Sequence, residues 1–378
     1  MMRLQDLPVD CLHRIIRYAV PTSYKRRDET LLSLALLSKS FAQASQVALL
    51  QQLDLVGHLN MIELVDTIAN CYKVRSICHS TTSLRLNCYS LNDKESVRTT
   101  EEILKRLPAV KMVWFEQVTS NLITLSLATG LTNLSLYHVD FMIDAPTQHG
   151  LYKPFLPCLT HLSLKRVSLY TSLHRDNAVN LDFLLNAQSL PSLSHLSITY
   201  EPSSPPTFIT LCARLSHLRL IRTVGYTPLP ELELARLSST NHLMHLSLDL
   251  RAPQDIDLLL SHPLPDTLRS LQITRGKSMD MERKLLSFVT PPSKDFRWLI
   301  VDSLDEGDNK AHDNRTKGDQ MVRRANVVEA EKWGIKVVEI DGERSVDGET
   351  WFKYTAALDR LAKSQEEQTN QEDQVKQE

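Results

Sequence analysis

Glycine is scarce in this sequence, with 10 glycines among 378 residues. Loops whose backbone amides surround phosphate groups need several glycines, so the sequence offers few candidates for such loops. The patterns HExxH, GxSxG, GxxxxGK(S/T) and GxGxxG are absent. These are the usual sequence signals of zinc proteases, serine hydrolases, nucleotide-binding loops and dinucleotide-binding folds. We therefore expect a protein that is not an enzyme and that needs no cofactor.

An excess of either charge is also missing. The 43 Lys and Arg residues are balanced by 45 Asp and Glu residues, for a formal net charge of −2. Nucleic acids and anionic membranes attract a basic excess, so neither is expected as a partner. No apolar run is long enough to span a bilayer, and the N-terminus shows no signal-peptide pattern. The six scattered cysteines are typical of free thiols in a reducing compartment, so we expect a cytoplasmic or nuclear protein.

A leucine pattern recurs along the chain. LTHLSL at 159–164, LSHLSI at 193–198, LSHLRL at 215–220 and LMHLSL at 243–248 share the form L-x-H-L-x-L. Looser versions extend the series in both directions, and successive blocks start on average about 27 residues apart. Apolar residues alternate with other residues in the second half of each block, which is typical of a β-strand. The blocks begin at Leu50, Thr81, Val110, Leu131, Leu159, Leu193, Leu215, Leu243, Leu268 and Phe296.

The segments between the blocks carry helical patterns. LITLSL at 122–127 lies too close to the block at Leu131 to be a strand of its own, so we predict that 119–129 is helical. Thr99 and Glu102 form a capping-box pattern, which predicts a helix over 99–107. Further helices are predicted over 59–72, 254–260 and 281–289.

Strands and helices in alternation predict a parallel sheet with right-handed crossovers. The block and its period are typical of leucine-rich repeats, and residues 51–342 resemble that family. The resemblance implies an α/β fold, a curved solenoid with its leucines inside. The asparagine that commonly follows the block is replaced by valine at Val118, Val139 and Val167, so we expect irregular turns.

The first 50 residues predict three short helices. Leu12, Ile15, Ile16 and Ala19 recur on one helical face. Thr30 is a candidate N-cap for the second helix, and the third is expected over about 40–52. So short a segment forms a core too small to stand alone, so it needs the first repeat or another protein as a partner.

This segment resembles an F-box, on Leu7-Pro8, Leu12, Ile15, Ile16, Leu34, Leu37, Ser38-Lys39 and Phe41. F-boxes dock on the Skp-type adaptor of a cullin–RING ubiquitin ligase, and an F-box followed by leucine-rich repeats resembles the substrate receptors of those ligases. Residues 21–29 make the first interhelical loop longer and more basic than is usual in that family. The resemblance implies that the adaptor is bound by Leu7, Pro8, Ile15, Ile16, Leu34, Leu37 and Phe41.

The C-terminal region divides into four parts. Residues 302–320 are almost free of apolar residues and predict a mobile loop. Residues 321–340 predict a helix, a stop at Gly334 and a strand. Residues 343–363 form a closing segment with a helix over 350–362, and the acidic tail 364–378 is predicted to be disordered.

His161, His195, His217 and His245 occupy the same place in four blocks. Because strand side chains alternate, the leucines point inward and these rings lie on the opposite, concave face, about 4.8 Å apart from strand to strand. The row is either a metal site or pH-sensitive face, or a neutral stacked row favoured by packing. The pattern itself supplies no carboxylate or thiolate partner, so we expect the neutral row and no metal. Mutual repulsion should spread the four pKa values downward.

A second cluster combines Cys71, Cys78, His79 and Cys88. Three thiols and an imidazole are zinc ligands in principle. The spacing lacks a C-x2-C knuckle, so buried free thiols are the preferred interpretation.

The outward positions of the strands are candidates for binding a target protein, because exposed Trp, Tyr and Arg commonly anchor interfaces. Lys165 and Arg219 are candidates for pairing with an acidic or phosphorylated segment. The predicted target-binding residues are Trp114, Tyr137, His161, Lys165, His195, His217, Arg219, His245 and Trp298.

Together these features predict a substrate-recognition subunit of a Skp–cullin–F-box ubiquitin ligase. Its N-terminal helices would bind the adaptor and its concave face an unknown target protein. The alternative is a leucine-rich-repeat scaffold outside any ligase, whose N-terminal helices only cap the first repeat. A metal-dependent enzyme using the His or Cys cluster is a third hypothesis.

Overall fold

The computed structural model describes residues 11–12, 15–16, 24–88, 93–143, 155–171, 174–178, 184–200, 214–222, 240–249, 257, 259, 261–262, 264–274, 296–302, 324, 327–328, 330–332, 334–340 and 348–377. The fold is α/β, with helices and parallel strands. Among these residues no helix combines the length and the apolar character needed to cross a membrane.

The chain divides into two compact units, which are described separately. Unit 1 comprises 1–159, 166–179 and 188–191. Unit 2 comprises 160–165, 180–187 and 192–378.

Unit 1 begins with a small helical cluster. Helices α1 (Tyr24–Ala35) and α2 (Lys39–Gln51) follow the helical residues 11–12 and 15–16. Ser38 caps α2, because its Oγ accepts a hydrogen bond from the Phe41 amide at 3.3 Å. Thr30 lies inside α1 and is not the predicted cap, because the helix already begins in the segment expected to be a loop. The core of the cluster is Leu12, Ile16, Leu31, Phe41 and Ala44, against which Leu34, Ala48 and Leu49 pack.

The remainder of unit 1 alternates strands and helices. In chain order these are β1 (Gln52–Val56), α3 (His58–Asn70), α4 (Tyr72–Cys78), β2 (Ser83–Asn87), α5 (Asp93–Arg106), β3 (Met112–Glu116), β4 (Thr119–Asn121), a 3-10 helix (Leu122–Leu127) and β5 (Asn133–Ile143). Strands β1, β2, β3 and β5 pair in parallel, with Gln52, Ser83, Met112 and Asn133 in register. Strand β4 pairs in parallel with the second half of β5.

Two further local predictions in unit 1 need correction. Helix α5 begins at Asp93, so Thr99 and Glu102 lie within it and the capping box is wrong. Of the predicted helix over 119–129, 119–121 is a short strand, and 122–127 is a 3-10 helix capped by the Asn121 side chain.

Three positions share one backbone conformation. Gln117, His138 and Arg166, each five residues after the start of its strand, have φ of 53°. Gln117 follows β3, whereas His138 lies within β5 and Arg166 within β6 (His161–Thr171). Gln117 and His138 are each followed by a buried valine, Val118 or Val139. The backbone after the block is therefore similar in these three repeats, and the expected irregular turns stay a prediction elsewhere.

The strands of unit 2 also pair in parallel. Its strands are the first half of β6 (His161–Thr171), β8 (His195–Tyr200), β9 (His217–Arg222), β10 (His245–Asp249), β11 (Ser270–Thr274), β12 (Trp298–Asp302) and β13 (Lys336–Ile340). Strand β7 (His174–Ala178) pairs antiparallel with the end of β6 in unit 1. A helical stretch ends at Gly334, whose φ is 73°, as predicted.

The chain's last helix, α6, spans Gly348–Gln377. It includes the predicted helix over 350–362. The acidic tail expected to be disordered continues this helix through Gln377, so that expectation is wrong. Apart from the strand end at Asp302, the predicted loop 302–320 lies outside the described residues, as does the predicted helix 281–289. Of the predicted helix 254–260, residues 257 and 259 are described and are helical.

Candidate functional site: a histidine row beneath the last helix

The four histidines of the repeated block lie side by side in unit 2. Strand pairing places His161, His195, His217 and His245 in register. Successive ring centroids are 3.9, 3.9 and 4.4 Å apart, with interplanar angles of 24°, 17° and 29°. The predicted stacked row is therefore confirmed, and we call these four residues the histidine row. The leucines and isoleucines that alternate with them are buried, as at Leu162, Leu196, Leu218 and Leu246.

Hydroxyl groups fix the orientation of the rings. Ser216 Oγ donates to the Ser194 carbonyl at 3.2 Å, so its lone pair accepts from Nδ1–H of His217 at 2.8 Å. Ser194 and His195 repeat this arrangement. In both rings Nε2 is consequently the unprotonated nitrogen.

Helix α6 covers the histidine row. The Phe352 ring lies edge-on to His161 and His195, with centroids 5.4 and 5.3 Å away. The Trp351 ring lies edge-on to His217 at 6.0 Å. Both aromatic side chains are buried, so the outward side of these strands forms a second packed layer.

The start and the middle of α6 complete this cover. Gly348 approaches Ser163 and Ser197 so closely that a Cβ there would lie 2.7 Å from Ser197 Cβ. Further along the helix, Leu358 and Ala362 pack into one cluster with Trp298, Ile300, Val338 and Tyr354. Helix α6 therefore contacts strands from β6 to β13.

One carboxylate of α6 contacts the histidine row. Asp359 Oδ1 accepts from His245 Nε2 at 3.2 Å and from Arg269 Nη1 at 3.4 Å. Because that carboxylate only accepts, His245 carries its proton on Nε2, and in the neutral ring its Nδ1 accepts from Ser270 Oγ at 2.7 Å. Burial opposes ionisation of Asp359, but the His245 hydrogen bond and the Arg269 charge outweigh it and lower the pKa of the carboxyl.

Burial opposes protonation of three rings of the histidine row. It lowers the pKa of His161, and together with neighbouring histidines it lowers the pKa of His195 to about 3. The pKa of His217 is lowered still further, by burial first and then by His195, His245 and His161. The pKa values of these three residues shift downward as predicted, but burial is the main cause, and repulsion between the rings contributes only at His195 and His217.

Ligand atoms of His217, His245 and Asp359 lie within 4.8 Å of one another, close enough to be considered as a metal site. The ring geometry opposes this use. Stacked imidazoles project their lone pairs side by side, whereas a shared metal ion requires lone pairs that converge. His245 Nε2 and Asp359 are moreover already hydrogen-bonded to each other. The arrangement is better suited to helix packing than to metal binding.

The other predicted cluster does not assemble. Within the part of the chain that the structure describes, Cys71, Cys78, His79 and Cys88 form no potential metal-binding group. Cys78 and Cys88 are buried free thiols, and burial raises the pKa of Cys78 to about 11.

The predicted target-binding residues fall into two groups. Those of unit 2 lie in the strands of the sheet. Four of them are buried: His217, Arg219, His245 and Trp298. Arg219 is 4% exposed and donates to Ser197 Oγ at 3.4 Å, and its burial opposes the predicted pairing with an external acidic segment. His161, Lys165 and His195 are half-buried, as are Trp114 and Tyr137 of unit 1.

The predicted adaptor-binding residues are also divided. Ile16 and Phe41 belong to the core of the helical cluster and Leu34 packs against it, so they hold the helices together. Ile15 is half-buried, Leu37 is exposed, and Leu7 and Pro8 lie outside the described residues.

The functional residues that the sequence reasoning missed are those of α6. Trp351, Leu358 and Ala362 recur at i, i+7 and i+11, a spacing that places them on one helical face. That spacing could have indicated a helix with an apolar surface to cover.

Comparison of the chain with protein-family models and with curated proteins gives no match in either case. The resemblances to an F-box and to leucine-rich repeats therefore stay predictions from the residues quoted above.

Proposed function

We propose that the protein is the non-catalytic substrate-recognition subunit of a Skp–cullin–F-box ubiquitin ligase. Its N-terminal helices would bind the adaptor, and strands of a leucine-rich-repeat solenoid would bind a target protein. The subunit would act by holding the target near a conjugating enzyme carried by its partners. The solenoid is supported by the strands, because those from β1 to β12, apart from β4 and β7, each begin two residues after a block start.

One observation carries the adaptor part of the proposal. Leu32, Leu36 and Leu37, at the end of α1 and in the turn that follows, are 60%, 89% and 64% exposed. The core of the helical cluster is formed by other residues, so these leucines are not needed inside it. Grouped exposed apolar side chains commonly mark protein–protein contacts. Burying each leucine on a partner would contribute about 1.5–3 kcal/mol.

The alternative, a scaffold whose helices only cap the first strand, is favoured by a different observation. Helix α2 ends at Gln51 and β1 begins at Gln52, so the helical cluster passes directly into the sheet. A purely capping role does not explain the exposed leucines, and under this alternative we expect no adaptor binding.

Co-purification with a Skp-type adaptor tests the proposal. The double variant Leu36→Asp/Leu37→Asp should lose the adaptor, because two charges would be buried at the contact. Leu59→Asp is the matched control, since Leu59 is 74% exposed in α3, outside the helical cluster. Circular dichroism should show both variants folded. If the wild-type chain retains no adaptor, or if both variants retain it equally, the ligase proposal fails.

A further inference from the structure

We propose that the outward face of β1–β3 in unit 1 binds a peptide segment that presents a basic side chain. The inference rests on the proposed function for the idea that the protein binds a target, and it names the chemistry of that target. We call Asp54, Arg85, Asn87, Trp114 and Glu116 the β1–β3 face. Strand register places Asp54, Arg85 and Trp114 in one row, and Asn87 and Glu116 in the next.

Arg85 lies at the centre of this face, where its positive charge interacts with two carboxylates. Its Nη2 lies 3.0 Å from Glu116 Oε2, and its Nη1 lies 4.0 Å from Asp54 Oδ2. Its guanidinium carbon also lies 5.2 Å from the centroid of the Trp114 ring, within cation–π distance. One guanidinium between two carboxylates leaves a formal charge of −1, so the face favours a cation over an anion.

Two acceptor atoms of the face have no donor. Asp54 Oδ1 and Asn87 Oδ1 are buried and without a hydrogen-bond partner, and Asn87 as a whole is only 7% exposed. A buried acceptor without a donor is destabilising. Burial accordingly raises the pKa of Asp54, although the Arg85 charge opposes the shift. An N–H-bearing cation, the ammonium of lysine or the guanidinium of arginine, would supply the missing donors.

The face also offers a buried donor on its tryptophan. Trp114 Nε1 is buried and has no acceptor. A lysine or arginine side chain supplies no acceptor, but the backbone carbonyl beside it does. This combination favours a basic residue within a peptide over a free amine.

Apolar groups surround these polar atoms. Val56, in register with Asn87, is 53% exposed, and Met112, two residues before Trp114, is 40% exposed. Tyr137 lies in register with Glu116 and is half-buried. The long aliphatic stem of a lysine or arginine can lie on such a surface while its charged end reaches the carboxylates.

Fluorescence anisotropy with labelled twelve-residue peptides tests the inference on the full-length chain, without any adaptor. The probes alternate alanine with lysine, glutamate or glutamine. The lysine peptide should bind at least 10-fold more tightly than the other two. Glu116→Gln and Asp54→Asn should each weaken its binding about 10-fold, whereas Glu63→Gln, which removes a charge from exposed α3, should leave binding within two-fold.

Equal binding of the three peptides, or equal weakening by Glu63→Gln and Glu116→Gln, would overturn the inference. Circular dichroism identifies a variant that fails to fold. If either Glu116→Gln or Asp54→Asn is unfolded, the other variant decides the test. Because no adaptor is present, failure here with adaptor binding intact removes only this site. Binding of the lysine peptide by a chain that never binds the adaptor would remove the ligase role and keep the site.

Discussion

Gly348, the first residue of α6, is where a single methyl group should loosen the cover over the histidine row. A Cβ at this position would lie closest to Ser163 Oγ, and 2.7 and 2.8 Å from Ser197 Cβ and Oγ. Ordinary contacts of this kind begin at 3.4 Å, so the helix start must retreat by about 0.7 Å from Ser197 Cβ. The Ser197 Cβ cannot rotate away, because it is fixed to strand β8.

Two effects of Gly348→Ala oppose each other. Alanine favours the helix by about 0.5–1 kcal/mol relative to glycine. Overpacking a close contact costs about 1–3 kcal/mol. Packing should therefore outweigh helix propensity, and we expect a net loss of about 1–2 kcal/mol in the stability of the α6 contact.

Native-state hydrogen exchange of the α6 amides measures this loss directly, since local opening raises exchange before global unfolding does. Gly130→Ala is the matched control, because its Cβ would meet only the Val110 carbonyl at an ordinary 3.9 Å. Adding Ser197→Gly to Gly348→Ala should recover part of the protection, as expected for two residues in contact. Unchanged α6 protection in Gly348→Ala would refute this account of the close approach.

Three further predictions concern the same layer. Trp351→Ala should cost about 3–5 kcal/mol in denaturant unfolding, since Trp351 is 1% exposed; a cost below 1 kcal/mol would mean that α6 does not depend on this anchor. His195 is neutral when folded, with its pKa lowered from 6.5 to about 3, so the unfolded chain binds the extra proton. Unfolding free energy should therefore fall as pH drops from 6.5 towards 3, and less steeply in His195→Phe; equal slopes would contradict the buried neutral ring. Protein purified without chelators should contain no stoichiometric zinc by mass spectrometry, and one ion per chain, lost in His217→Ala, would restore the metal interpretation.

The strands could be predicted because their signal is local. The period of two that places Leu162 and Leu164 on one side of β6 is contained in six residues. The same two positions are buried in β8, β9 and β10, at Leu196 and Ile198, Leu218 and Leu220, and Leu246 and Leu248. Helix limits were less accurate. Helices α1 and α5 begin ahead of Thr30 and Thr99, because a capping residue is also compatible with a helix interior.

The cover over the histidine row could not be predicted, because it depends on contacts between distant parts of the chain. His245 and Asp359 are 114 residues apart in sequence. The alternation of a strand shows that its two sides differ, but it does not show which side meets solvent. Part of the predicted target surface, including His217 and His245, was therefore placed on residues that lie buried beneath α6, while the row itself was correctly placed.

The geometry explains why histidine suits the covered positions. A neutral imidazole is flat enough to stack at 3.9 Å, and its Nδ1 is held by a serine or threonine hydroxyl of the same sheet. Its other edge can meet an aromatic ring or a carboxylate of α6, as His217 meets Trp351 and His245 meets Asp359. Leucine could supply the packing but not the hydrogen bond to Asp359, whose carboxylate would then lose one of its donors. Helix α6 thus covers the histidine row. Recognition is better placed on the β1–β3 face, where unpartnered polar atoms lie beside the exposed side chains of Val56 and Met112.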